Sequence, residues 1–111
     1  MSAQVAAIAQ TIASKVSANP RPGAGVSVQS AQAEGKLVRI SVRVPENDPG
    51  LDFFHVDGRQ TEVINALEAV VCDVQDIDLF LNANGVVQAY IDDVDGDRIA
   101  VVFPSNCRPP G

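Results

Sequence analysis

The chain has 111 residues, 46% of them hydrophobic, and carries 14 carboxylates against 8 Lys and Arg for a net charge of −6. That length supports one domain around one core and excludes two. No apolar run is long enough for a membrane-spanning helix, and the acidic balance disfavours nucleic-acid phosphates.

The N-terminal segment reads as a helix running from a Ser2 cap to about Ala18. Val5, Ile8, Ile12 and Val16 recur at helical spacing, Ala9 fills the stripe, and Asn19-Pro20 stops it. The other face holds Ala, Gln, Ser and Thr with one charge, Lys15. Being Ala-rich, with no basic residue before the apolar stretch, the segment makes a poor secretory signal. The expected compartment is therefore the cytoplasm.

A stiff linker, Pro20-Arg21-Pro22-Gly23, leads to the first of three hairpin signals. Ala33-Glu34-Gly35, Ala83-Asn84-Gly85 and Val94-Asp95-Gly96 each separate alternating apolar residues. Three-residue loops with Gly at a left-handed position satisfy all three. The first loop then pairs Val28 with Ile40 and Val26 with Val42. The second pairs Leu79 with Ala89, and the third pairs Ile91 with Ile99 and Val87 with Phe103. The outer face of the first hairpin shows Arg39 and Arg43. The outer face of the later meander shows Phe80, Tyr90, Ala100 and Val102 within a ring of Asp76, Asp78 and Asp92.

Residues 45–57 join the first hairpin to a second helix. This connection holds the only His and two of the four Phe. Long connections in compact domains are often functional, so Asp52, Phe53, Phe54 and His55 form the candidate ligand-binding cluster. His55 with Asp52 or Asp57 is a minimal general-base or metal pair. It falls far short of a triad or a His-x-x-x-His helix. No catalytic residue, metal site or cofactor is assigned. The second helix begins after Asp57 or Thr61 and runs to about Val71, with Val63, Ile64, Leu67, Val70 and Val71 as its buried stripe.

Asp93-Val94-Asp95-Gly96-Asp97 opens like a calcium loop, but Arg98 and Pro104 stand where that loop needs Gly and Glu. The hairpin explains Asp-Gly without a metal. Cys72 and Cys107 fit no metal or redox spacing. Cys72 reads as a small buried hydrophobe, and a bond between the two is sterically possible but disfavoured in a reducing cytoplasm.

These elements give an α+β domain over residues 1–104: an antiparallel sheet of about five strands, order α-β-β-α-β-β-β, with two helices on one face. Residues 105–111 form an irregular tail. Charge is uneven, with five basic residues against one carboxylate in 1–45 and three arginines against thirteen carboxylates in 46–111. The expected function is a non-enzymatic interaction or accessory module of chaperone-like, phage-derived or immunity type. Its partner is another protein or a second copy in a homodimer, through Phe80, Tyr90, Val102, Arg39 and Arg43. The alternatives are a small-molecule-binding module with its pocket at Phe53 and Phe54, or a small hydrolase or metal enzyme at His55. Neither nucleic acid nor membrane is expected as a partner.

Overall fold

Val5, Ile8, Ala9, Ile12, Ala13 and Val16 are all buried, so the apolar stripe of the first segment becomes the inner face of helix α1, Ser2–Ser17. A computed structural model describes residues 2–45 and 59–107. Lys15, in the last turn of α1, reaches across to the carboxylate of Asp73 at 2.6 Å. The loop cluster at Asp52, Phe53, Phe54 and His55, with Asp57, lies outside the described residues.

Strands β1, Ser27–Glu34, and β2, Leu37–Arg43, form the first hairpin. Its turn has two residues, because Glu34 pairs with Leu37. Gly35 takes the first loop position with φ 60°, the left-handed geometry that a hairpin turn of this length requires. The pairing therefore runs Ala33 with Val38 and Ala31 with Ile40, not Val28 with Ile40. A register shift between Val28 and Ser30 then brings Val28 opposite Val42. The bulge restores the inward phase that the shorter turn would otherwise lose.

Helix α2, Arg59–Val71, buries Val63, Leu67, Val70 and Val71. The next segment differs from the strand its sequence suggests. Ile77–Asn82 is a helix, α3. Ile77 and Phe80, three apart, are its buried residues, whereas Leu79 is 41% exposed. Alternating Ile77, Leu79 and Leu81 imitates a strand, and over six residues a helix meets the same apolar pattern. Asp76 starts the helix at φ 66°, and Asn84, not Gly85, takes the left-handed position at its end.

Strands β3, Val86–Asp92, and β4, Arg98–Val102, complete the sheet. The order is β1-β2-β3-β4. β2 and β3 run parallel, Leu37 beside Val86 through Arg43 beside Asp92, and the other pairs are antiparallel. Among the described residues the fold is thus α+β with a four-stranded mixed sheet and three helices, in place of five antiparallel strands and two helices. The connection through α2 and α3 is what permits the parallel pair. It also makes the basic first hairpin and the acidic second one neighbours in a single sheet.

One sheet face is the core side, with Val38, Ile40, Val42, Val87, Ala89 and Ile91 all at 0% exposure. Phe80 closes this core from α3, also at 0%. Truncating such a ring to Ala costs about 3–5 kcal/mol. The β3–β4 hairpin starts in the expected register, Asp92 with Arg98, and then shifts so that Ala89 faces Val102. That shift turns Val102 into the core at 3% exposure and leaves Phe103 outside at 57%.

Candidate protein-docking site

The interface residues expected from sequence separate. Phe80 and Val102 are core residues and cannot share an outer patch with Tyr90. Tyr90, Arg39 and Arg43 do lie on the sheet face opposite the core side, as the paired rows Gln32–Arg39–Gln88 and Ser41–Tyr90–Val101 show. The groups on that face largely satisfy one another. Arg39 meets Glu34 at 3.3 Å. The Arg98 guanidinium sits 4.1 Å from the centre of the Tyr90 ring, and its Nε donates to the Asp92 carboxylate at 3.3 Å. The Tyr90 hydroxyl donates to Gln88 at 3.0 Å. Exposed pairs of this kind contribute little each.

The turn that resembles a calcium loop holds its own polar groups. Asp93 is 2% exposed, and its carboxylate accepts the backbone N–H of Asp95 and of Asp97, both at 2.9 Å. Among the described residues no three His, Cys, Asp or Glu side chains gather as a metal site.

Exposed apolar side chains gather at one end of the sheet. Leu81 of α3, Val86 at the start of β3, and Phe103 just after β4 line a groove of about 670 Å³, with Asp78 and Asn106 among its polar neighbours. Val86 is 40% exposed and Phe103 57%. An aromatic ring left this open beside other apolar side chains is the usual mark of a contact surface.

The wall that carries Phe103 is fixed. Cys72, just beyond α2, is disulfide-bonded to Cys107, with Cα atoms 5.3 Å apart. The backbone N–H of Asn106 donates to the Glu68 carboxylate of α2 at 2.8 Å. Pro104 is buried, and the turn is tightened by N–H groups of Ser105 and Cys107 donating to the carbonyls of Phe103 and Ser105 at 2.8 and 3.0 Å. Cys72 is therefore half of a cross-link and not a free buried thiol. The cue that sequence offered was the bare pair of cysteines without metal or redox spacing, the pattern of a structural bridge. Phe103 was obscured because an unbroken alternation assigns it to the core opposite Val87.

No protein-family model matches this sequence, and no curated protein gives a significant match. Similar folds occur among solved structures. The pilotin AspS of the type II secretion system of Vibrio cholerae superposes with a TM-score of 0.60 at 16% identity, over 92% of this chain and 89% of that one. The pilotin EpsS of the Vibrio vulnificus type 2 secretion system gives 0.62 at 16%, over 98% and 96%. A candidate secreted protein of Pseudomonas aeruginosa gives 0.59 at 14%, over 96% of each chain. These likenesses overturn two expectations. The fold is one found in secretion-system pilotins, so the phage-derived or immunity-type reading falls. The cytoplasmic reading falls with it, since the neighbours are secretion-system and secreted proteins and Cys72 and Cys107 are bonded, as suits an oxidising compartment.

Proposed function

We propose that this chain is an extracytoplasmic accessory protein that holds a segment of a partner protein, a component of a secretion or envelope assembly, in the groove between α3 and the cross-linked tail. The observation that carries this reading is Phe103: a large apolar ring, more than half exposed, on a wall tied to α2 by a disulfide and a charge-assisted hydrogen bond. A rigid wall with an exposed aromatic anchor limits the ordering cost of binding. The pilotins that share this fold are parts of a type II secretion system, which supports a protein partner of that class.

The groove chemistry narrows the partner segment. Leu81, Val86 and Phe103 supply apolar contact, and the Asp78 carboxylate stands in the same lining. The fitting segment has an apolar anchor with a basic residue beside it.

Photo-cross-linking tests this. A benzoylphenylalanine at position 103, in cells that make the protein, is expected to give one dominant adduct with an envelope protein, and Val86→Glu is expected to abolish it. An adduct no stronger than that from a probe at position 95, in the exposed β3–β4 turn, would overturn the reading.

A further inference from the structure

The two edges of the sheet are not alike. β4 is five residues long, opens on Arg98, is interrupted by a register shift and is followed by Phe103 and then Pro104. Charge, brevity, irregularity and proline are the devices that stop an edge from pairing with another chain. β1 has eight residues, and its only charge is Glu34 at the very end. Past its bulge, the run from Ser30 to Glu34 pairs continuously with β2 and carries none of those devices except that terminal carboxylate.

The two-residue turn fixes which backbone groups of β1 face outward. Glu34 and Leu37 flank the turn and form a hydrogen-bonded pair, so bonded pairs recur at Gln32–Arg39 and Ser30–Ser41. Ala31 and Ala33 then direct their N–H and C=O groups away from β2, along the open edge. Beside that edge, α1 and β1 enclose a groove of about 600 Å³ lined by Gln10, Ala13, Ser14, Ala31 and Ala33. Ala13 and Ser14 on the α1 wall and Ala31 and Ala33 on the β1 wall are small and leave room for another backbone between the longer Gln10, Gln32 and Glu34.

We infer that β1 is an acceptor for strand addition: an extended partner segment pairs with the backbone of Ala31 and Ala33 and sets alternate side chains into the groove against α1. Main-chain hydrogen bonds supply affinity, and the groove selects uncharged side chains of modest size. Glu34 favours a basic residue at the adjoining end of the segment. This inference rests on the reading of the chain as a partner-holding protein and adds a second contact, at the opposite edge of the sheet from Phe103.

The probe is a capped octapeptide of alternating Val and Thr ending in Lys, titrated into the isotopically labelled protein. The expected result is saturable shifts of the Ala31 and Ala33 amides, with their hydrogen exchange slowed at least tenfold. Ala33→Pro removes only an outward donor, so it should abolish binding while the melting temperature stays within a few degrees. Gln32→Lys, which adds an edge charge but keeps the backbone donors, should weaken binding less. Shifts confined to the Phe103 groove, or none at millimolar peptide, would overturn strand addition. So would shifts of the same amides with protein concentration alone, which would make the occupant a second copy. None of these outcomes touches the cross-linking result at position 103, so the two readings fail separately.

Discussion

The ring of Phe80 occupies the space above Gly85. A Cβ placed on Gly85 would lie 2.6 Å from three ring carbons of Phe80, and the Gly85 N–H donates to the Phe80 carbonyl at 2.9 Å. Glycine is needed here for room and not for backbone freedom, since Asn84 carries the positive φ.

Two substitutions separate these causes. Gly85→Ala forces the Phe80 ring to move and should cost about 1–3 kcal/mol as an overpacked core. Gly35→Ala meets no atom within 4 Å, but Gly35 has φ +60°, so its cost should be backbone strain alone, about 1 kcal/mol. Chemical denaturation of both variants measures this. A Gly85→Ala protein as stable as wild type would show that the ring is not fixed.

The bridge between Cys72 and Cys107 spans a sequence separation of 35. Removing a cross-link of that span should cost about 2–4 kcal/mol through the freedom returned to the unfolded chain. Cys107→Ser and reduction by dithiothreitol should lower the denaturation midpoint equally. The reduced protein should also lose its position-103 adduct, because the Phe103 wall is no longer held.

Asp93 closes the β3–β4 turn with one carboxylate oxygen accepting two N–H groups. Asp93→Ala strands both donors beside a buried position and should cost about 1–3 kcal/mol. Asp93→Asn keeps an acceptor oxygen and should recover most of that loss. Equal destabilisation by the two variants would mean that the charge, and not the acceptor, organises the turn.

The carboxyl of Asp73 is held below its ordinary 3.8, first by the hydrogen bond from Lys15 and then by its positive charge. A lowered folded-state pKa adds stability that is present above 3.8 and lost as pH falls through the lowered value. Asp73→Asn should therefore be slightly less stable than wild type at pH 6, with the difference vanishing in strong acid. The Asp73 side chain is largely open to solvent and that of Lys15 partly so, so added salt should shrink the difference as well. A gap that persists at the lowest pH would assign the effect to something other than ionisation.

Local patterns in the chain were readable where one period dominated. α1 and α2 announce themselves because Val5, Ile8, Ile12 and Val16, and then Val63, Leu67 and Val70, recur only at helical spacing. Of the three hairpins that the glycines suggest, those at Gly35 and Gly96 form and the one at Gly85 does not, because α3 and not a strand precedes β3. Register was not readable, because a two-residue turn with a later bulge and a three-residue turn without one both keep Val28 on the core face, and they differ only near the turn, where Ala31 and Ala33 face inward in place of Ser30 and Gln32. α3 was missed because six residues cannot separate the two periods, and losing it removed the crossover that makes β2 and β3 parallel. The docking groove depended on both errors. Phe103 reaches the surface because β4 slips by one residue, and its wall is held by the Cys72–Cys107 bond together with the Asn106–Glu68 hydrogen bond.

Phe103→Ser isolates the central claim. The ring is mostly exposed, so its loss should change folding stability by no more than about 0.5 kcal/mol. As the anchor of the docking groove it should be a binding hot spot of about 2 kcal/mol or more, a loss of about thirtyfold in affinity. The direct measurement is calorimetric titration of the partner identified by cross-linking against the wild-type and Phe103→Ser proteins. Melting should be unchanged while affinity falls by about thirtyfold or more. Affinities within twofold of each other would show that the partner does not bind at this groove.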